Sequence, residues 1–151
     1  MRVLVCGGRD FGNFPTDENG FIDRQHPTYL DKHREYFYVK GCLNIFAAAN
    51  SKHYSADNNW LPSDIKIISG AATGADFAAI EWGNVHRCEV HEYPADWKKY
   101  GKSAGYIRNK HMLIEGRPDV VLAFPGGRGT EHMISEAQKH GVKVIKFDYK
   151  V

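Results

Sequence analysis

The sequence has few of the features that mark a disulfide-rich or metal-binding protein. Its 151 residues include three cysteines, which are far apart, odd in number and form no CxxC pair. Neither a disulfide framework nor a zinc ribbon is therefore indicated. His86, Cys88 and His91 lie close together, but alternation along a strand puts His91 on the opposite face from the other two. We expect no bound metal and no cofactor.

Long apolar runs and an excess of one charge are also missing. No stretch approaches the roughly 20 apolar residues that cross a bilayer, and residues 1–8 are too short a run for a signal peptide. The formal net charge is +2, from 20 basic and 18 acidic residues, which argues against a broad surface for nucleic acid or membranes. We therefore expect a cytoplasmic protein that binds a small molecule, with no membrane partner and no nucleic acid.

Four short runs rich in β-branched residues are separated along the chain by helical segments, and a weaker fifth run at 88–93 alternates in character. Predicted strands cover residues 3–5, 65–68, 88–93, 120–124 and 142–147. Predicted helices cover residues 35–50, 75–85, 103–115 and 130–140, with Ser103 as an N-cap and Gly141 after the last helix. This alternation predicts an α/β fold, a Rossmann-like three-layer sandwich with a mostly parallel sheet of about five strands, in one domain spanning 1–151.

Two of the predicted strands have distinct places in that sheet. Residues 120–124 are apolar throughout, which is typical of a strand covered by helices on both faces. In residues 142–147, Lys143 and Lys146 alternate with apolar side chains, which is typical of an edge strand.

Two segments interrupt the alternation of strands and helices. Residues 12–32 are polar and contain Pro15, Gly20 and Pro27, so we predict an irregular insertion at about 12–33. Residues 51–64 form a second predicted irregular connection. Long connections near a site are more often functional than idle.

Glycine-rich turns follow three of the predicted strands. Their sequences are Gly-Gly-Arg-Asp-Phe at 7–11, Ser-Gly-Ala-Ala-Thr-Gly-Ala-Asp at 69–76 and Pro-Gly-Gly-Arg-Gly-Thr at 125–130. Open parallel sheets bind ligands at the carboxyl ends of their strands. Glycine lets the backbone approach a ligand and exposes N–H donors, and a helix that follows such a turn adds its dipole. We predict that these turns bind the phosphate of a nucleotide-like ligand.

The candidate binding residues lie in the three turns and on one helix. From the turns they are Gly7, Gly8, Arg9, Asp10, Ser69, Gly70, Thr73, Gly74, Asp76, Pro125, Gly126, Gly127, Arg128, Gly129 and Thr130. Arg108 and Asn109 join them from the middle of the helix predicted at 103–115, where asparagine is a poor helix former unless its side chain has a contact to make.

Each candidate also has an ordinary structural alternative. Arg9 and Asp10 can form a local ion pair, Asp76 can complement the dipole of its helix, and Arg108 and Asn109 can lie on a solvated face. The alternative role for Ser69, Thr73 and Thr130 is to cap a helix. Three aromatic residues are expected either to stack on a base or to pack in the core or a lid; they are Trp97, Tyr100 and Tyr106.

Two common nucleotide motifs are absent from the sequence. No Gly-Lys-Ser/Thr follows any of the turns, so none is a Walker loop, and Gly70 and Gly74 lack the spacing of a GxGxxG fingerprint. Nucleoside triphosphate hydrolysis and ordinary dinucleotide redox chemistry are therefore not expected.

As a set, these motifs resemble the SLOG superfamily of Rossmann-like proteins, and most closely its YspA-like branch, which is common in bacteria and phages. The resemblance lies in residues 5–11, 69–76 and 125–130 and in the Arg-Asn pair within 104–112. It covers most of the chain, with 12–32 as the main departure. It implies a nucleotide or nucleotide-derived ligand at the glycine turns, and a homodimer.

Within that superfamily, LOG-type phosphoribohydrolases cleave the N-glycosidic bond of nucleoside monophosphates. Their glycine motif is followed by glutamates where this chain has His132 and Met133, and their helical arginine is matched by Arg108. Glu131 lies one residue too early, about 100° around a helix from the expected position. If the chain is an enzyme, the resemblance makes Arg108 and Glu131 the candidate catalytic residues. Carboxylates that could replace the missing glutamates are Asp10, Asp76 and Glu136.

Three functions follow from these observations. The first is binding or sensing of a nucleotide-derived ligand without turnover, which the missing glutamates favour. The second is LOG-type hydrolysis of a nucleoside 5′-monophosphate. The third and most distant is DNA binding, since DNA-processing relatives carry a turn similar to residues 69–74; the balanced charge counts against it.

Overall fold

The structure is a computed structural model that describes residues 1–51 and 64–150. The strands in this part of the chain are β1 (Arg2–Cys6), β2 (Lys66–Ser69), β3 (Glu89–Glu92), β4 (Val120–Ala123) and β5 (Lys143–Lys146). The α-helices are α1 (Tyr29–Asn50), α2 (Ala75–Val85), α3 (Trp97–Tyr100), α4 (Ala104–Ile114) and α5 (Arg128–Lys139). A 3₁₀ turn, Gly101–Ser103, joins α3 to α4.

The five strands form one parallel sheet in the order β3-β2-β1-β4-β5. Val3 in the central strand β1 pairs with Ile67 of β2 on one side and Val120 of β4 on the other. The chain therefore builds the sheet outward from β1 to β3 and then returns to add β4 and β5 on the opposite side. This reversal between β1 and β4 is the topological switch point of a Rossmann-like sheet, where a crevice opens at the strand ends. The predicted α/β fold with a five-stranded parallel sheet is confirmed.

Helices cover both faces of the sheet. Val3 and Val5 pack with residues of α1 and α2, whereas Leu4 and Cys6 pack with residues of α4 and α5. All of Val120–Ala123 is buried, which confirms a strand covered on both faces. β5 lies at one edge of the sheet with its two lysines exposed, as its alternating pattern predicted.

Helix α1 begins at Tyr29, and the prediction that it starts at residue 35 was wrong. The irregular insertion accordingly ends at Thr28 and not near residue 33. The early turns of α1 carry few apolar residues, so their pattern resembles a loop. An acidic Asp31 in the first turn and a Lys32–Glu35 pair at 3.1 Å nevertheless suit the start of a helix. The irregular connection predicted at 51–64 lies, apart from its end residues, outside the described residues.

Two helix starts on the other face also differ from prediction. Ser103 makes no capping hydrogen bond, because it belongs to the 3₁₀ turn that runs directly into α4. Helix α5 begins at Arg128, two residues before the predicted start, with Gly127 as its N-cap. Its other end was predicted correctly, since Gly141 follows it with a positive φ of 71°.

The described helices include none with the length and apolar character needed to span a membrane. The longest, α1, has 22 residues and carries five charged side chains between residues 31 and 40.

Gly74 marks the place where the turn after β2 packs against the turn after β1. Its φ is +79°, and a Cβ on it would lie 2.6 Å from the carbonyl oxygen of Arg9 and closer still to that of Gly8. Both obstacles are backbone atoms, which cannot rotate away as a side chain does. Gly141 has a similar φ of +71° but open space around it.

We predict that Gly74→Ala lowers the free energy of unfolding by about 2–4 kcal/mol, since it adds a backbone clash to an unfavourable φ. The matched control Gly141→Ala is expected to lose only about 1 kcal/mol, the cost of the positive φ alone. Urea denaturation of both variants measures the difference. Equal losses would contradict close packing between the two turns.

Candidate functional site

A cleft of about 680 Å³ opens at the carboxyl ends of β1 and β4, at the switch point of the sheet. Turns that follow these strands form its floor, and α1 and α4 contribute to its walls. The predicted candidates that line it are Gly7, Gly8, Arg9, Asp10, Asp76, Arg108, Asn109, Pro125, Gly126, Gly127, Gly129 and Thr130. The fold thus brings together most of the residues that the sequence pattern singled out.

The remaining candidates do not line this cleft. Those from the turn after β2 are Ser69, Gly70, Thr73 and Gly74, and they support residues that do line it. Arg128 and Glu131 lie instead on a neighbouring, shallower depression of about 620 Å³. Tyr106 and Gly127 form the ridge between the two cavities, since they line both. Glu131 therefore lies outside the cleft that contains Arg108.

Bare backbone forms the floor of the cleft. The Gly8 N–H donates a hydrogen bond to the carbonyl oxygen of Pro125 at 2.8 Å, which joins the turn after β1 to the turn after β4. A Cβ on Gly126 would lie 2.6 Å from the Gly8 nitrogen. Glycine is needed here because the two backbones touch, and the same lack of side chains leaves room for a ligand.

The turn after β2 is tied to the turn after β1 by hydrogen bonds behind the cleft. The Thr73 hydroxyl donates to the carbonyl oxygen of Arg9 at 2.9 Å, and the Ala75 N–H donates to that of Gly8 at 3.4 Å. Buried Ser69 bonds within its own turn, where its Oγ accepts the Ala71 N–H at 3.3 Å. Neither hydroxyl caps α2, whose N-cap is Gly74. The capping alternative is therefore wrong for both residues.

The N-terminus of α5 lies at the cleft without a side-chain cap from the described residues. Gly127 and Gly129 are exposed there, whereas Thr130 is buried beneath the turn and does not cap the helix. The first N–H groups of a helix have no partner within it and carry the positive end of its dipole. Such an end attracts an anion, and a phosphate above all.

Arg108 and Asn109 of α4 join the turn after β2 to the glycine motif at residues 125–130. The Arg108 Nη1 donates to the carbonyl oxygen of Gly70 at 2.5 Å, and its Nε donates to the Asn109 Oδ1 at 3.1 Å. The Asn109 Nδ2 in turn donates to the carbonyl oxygen of Gly129 at 3.1 Å. A solvated face is therefore the wrong alternative, since Asn109 is buried and Arg108 half-buried.

Asp76 places a buried carboxylate at the cleft, where 6% of the residue is exposed. Its Oδ2 accepts the N–H of Ala72 at 3.2 Å. Burial raises the pKa of Asp76 to about 6, against the lowering effect of that hydrogen bond and of the charges on Arg108 and Arg9. A Cβ on Gly70 would lie 2.8 Å from the Arg108 Cζ and 2.9 Å from the Asp76 Oδ2, so this glycine leaves room for both groups.

Arg9 and Asp10 do not pair with each other as the structural alternative expected. The Arg9 guanidinium stacks over the Trp97 ring at 4.5 Å, while the exposed Asp10 carboxylate contacts the Lys32 Nζ at 3.0 Å. Lys32 also contacts Glu35, whose Oε2 accepts the N–H of Gly12 at 2.7 Å. Although burial opposes it, hydrogen bonds to the two carboxylates raise the pKa of Lys32. These contacts hold the start of α1 against the segment after β1, at the edge of the cleft.

Several residues of the cleft were missed by the sequence-based prediction. They are Cys6, Phe11, Lys32, Glu35, Ala72, Lys102, Gly105 and Met112. If α1 had been predicted to start at Tyr29, Lys32 and Glu35 would have fallen on one face of that helix, and this shared face would have marked them as candidates. Among the three aromatic candidates, Trp97 and Tyr106 line the cleft, whereas Tyr100 does not.

Comparison with known proteins finds a similar phage protein. No family model matches the chain. The chain is similar to the Gene 61 protein of Mycobacterium phage D29, with 43% identity over 96 residues. The matched region covers 59% of this chain and 76% of the phage protein.

We predict that Asp76→Asn becomes more stable relative to the wild-type protein as the pH rises from 4 to 7. The pKa of Asp76 is about 6 in the folded protein and near 3.8 in the unfolded chain. As the pH rises from 3.8 to 6, the unfolded chain releases this proton before the folded protein does, so Asp76 increasingly destabilises the fold. The gain is on the order of 3 kcal/mol, measured by urea denaturation across this range. A difference that stays constant with pH would contradict the burial of a titrating carboxylate.

Proposed function

We infer the function of this chain from its cleft. The chain belongs to the family of the Gene 61 protein of Mycobacterium phage D29, and the name of that protein states no activity. We propose that it binds a nucleotide or nucleotide-derived ligand, with the phosphate at the N-terminus of α5. The observation that carries the proposal is the start of α5, which has no side-chain cap from the described residues and opens into a cleft at the switch point of a Rossmann-like sheet.

The charges around the cleft support an anionic ligand. Arg108 lies on the α4 wall and Lys102 lines the same cleft. The Asp10 and Glu35 carboxylates are already occupied by Lys32, so they repel an anion less than free carboxylates would. Glycine N–H groups and a guanidinium together form the kind of site that donates charge-assisted hydrogen bonds to phosphate oxygens.

The size and aromatic lining of the cleft support a ligand larger than phosphate. A volume of about 680 Å³ lies within the usual range for small-molecule sites. Trp97 and Tyr106 line it with 45% and 42% of their surface exposed, which leaves apolar faces on which a base can stack. Arg9 already covers part of the Trp97 ring, so a base that stacks there meets a cation as well.

A second candidate function is hydrolysis of a nucleoside 5′-monophosphate, and Asp76 is the observation that favours it. Its carboxyl lines the cleft beside Arg108, with a pKa raised by burial to about 6, and is mostly ionised at neutral pH. Such a group suits a general base that takes a proton from water as the water adds to C1′ of the sugar. The N-glycosidic bond breaks in that step and the base leaves with the bonding electrons. The leaving base gains one proton, which balances the proton that Asp76 takes from water. In this candidate function Asp76 replaces Glu131, which lies outside the cleft.

Two variants at one position test the role of the α5 backbone. Arg128→Ala and Arg128→Pro both remove the guanidinium, but only proline removes the N–H at the first residue of the helix. Proline is compatible with this position, and the preceding Gly127 has an extended backbone with φ −103° and ψ −142°. We expect AMP to bind about tenfold more weakly to Arg128→Pro than to Arg128→Ala in isothermal titration calorimetry. Equal affinities would contradict phosphate binding at this helix end.

Incubation with AMP, GMP, CMP and UMP separates binding from hydrolysis. We expect a rise in melting temperature with at least one of them, because a ligand bound only by the folded state stabilises it. We expect no free base to be detected by chromatography. Base release that disappears in Asp76→Asn and Arg108→Ala would instead establish the second candidate function. Absence of any thermal shift with nucleotides or inorganic phosphate would contradict both.

A further inference from the structure

His132 lies on α5, behind the ridge that separates the two cavities. Its ring packs against the Tyr106 ring with centroids 4.5 Å apart, and its Nε2 lies 3.7 Å from the Glu136 Oε1. Its Nδ1 lies 3.2 Å from the Asn109 Nδ2. The imidazole thus contacts the residue that joins Arg108 to the phosphate-binding turn proposed above, without lining the main cleft itself.

The orientation of the Asn109 amide follows from its other partners. The Nε of Arg108 can only donate a hydrogen bond, so the atom that it meets must be the amide oxygen. The carbonyl oxygen of Gly129 can only accept, so the atom that it meets must be the amide nitrogen. Exchanging the two amide atoms would oppose donor to donor and acceptor to acceptor.

This orientation decides the protonation state of His132. The second N–H of the Asn109 amide faces the His132 Nδ1, which must therefore accept a hydrogen bond. An imidazole nitrogen accepts only when it carries no proton, so the ring is neutral and its proton is on Nε2, toward Glu136.

We propose that neutral His132 is a positioning residue, which holds the Asn109 amide so that Arg108 and the Gly129 peptide keep their places at the cleft. The inference rests on the proposed binding of a nucleotide phosphate there. Protonation at Nδ1 replaces an acceptor by a donor and leaves two donors in opposition. The amide must then move, and Arg108 loses the acceptor for its Nε.

The groups around His132 keep it neutral at ordinary pH. Those that face it from α4 and α5, or line the same depression, are Tyr106, Lys110, Arg128, Glu131, Glu136 and Lys139. Burial lowers the pKa of His132, Glu136 acts in the opposite direction, and the two lysines add to the lowering. The contact with Asn109 is therefore expected at neutral pH and is lost in acid.

Two substitutions separate the acceptor from the bulk of the ring. In His132→Asn the side-chain oxygen can occupy the place of Nδ1 and accept from Asn109, whereas His132→Leu has no acceptor. At pH 7 we expect AMP to bind within about twofold of the wild-type affinity in His132→Asn and about fivefold more weakly in His132→Leu. Between pH 7 and pH 5 the wild-type protein should lose more affinity than His132→Asn. AMP, Asp76 and the other titratable groups common to both experiments titrate with either protein. Their effect therefore cancels in the ratio of the wild-type affinity to the His132→Asn affinity.

Nitrogen-15 NMR of the ligand-free wild-type protein tests the contact without any binding measurement. We expect His132 with an unprotonated Nδ1 at pH 7 and an Asn109 side-chain amide signal that shifts as His132 titrates. A protonated Nδ1 at pH 7, or full affinity for AMP in His132→Leu, would overturn the positioning role alone. Failure of the wild-type protein to bind AMP would overturn the proposed function and the positioning role together.

Discussion

The hydrogen bonds of Arg108 and Asn109 are the interactions on which the candidate site depends. These two neighbours on α4 satisfy the carbonyl oxygens of Gly70 and Gly129, which belong to turns after two strands that are not adjacent in the sheet. The Gly70 carbonyl belongs to a buried loop residue and must find a donor, and here the donor comes from a helix on one face of the sheet. The same pair therefore fixes the second and third turns relative to each other and presents a guanidinium at the cleft.

A second constraint lies at the floor of the cleft, where the turns after β1 and β4 touch through their backbones. The Gly8 N–H bonds to the carbonyl oxygen of Pro125, and the Thr73 hydroxyl links the turn after β2 to Arg9. These contacts use the glycines for close approach, which leaves the N-terminus of α5 facing a floor without side chains. Apart from the ion-paired Asp10, Lys32 and Glu35, the cleft offers N–H groups, the guanidinium groups of Arg9 and Arg108, the Lys102 ammonium and the buried Asp76 carboxylate. This combination suits the binding of phosphate more directly than a reaction.

The order of the five described strands and of the four longer helices could be predicted because it depends on local patterns, whereas the short helix α3 was not predicted. β-branched runs marked four of the five described strands, and alternation marked the weaker fifth at 88–93. Helix Ala75–Val85 was predicted with both bounds correct. Asn109 could be singled out because asparagine is unfavourable within a helix unless it has a partner. The start of α1 could not be predicted, since it is stabilised by Lys32 contacts with Asp10, a residue 22 positions earlier. The stacking of Arg9 on Trp97 was hidden for the same reason, because only the folded sheet brings their turns together. The homodimer implied by the resemblance stays a prediction.

The most direct test of the account is a backbone amide NMR titration with AMP and, separately, with adenosine. The account predicts that AMP shifts the amide signals of Gly127, Arg128 and Gly129 and the side-chain signals of Arg108 and Asn109, and that adenosine leaves the α5 signals unchanged because it lacks the phosphate. Shifts that are confined to surfaces remote from the cleft, or equal shifts of the α5 amides with both compounds, would contradict phosphate recognition at the start of α5.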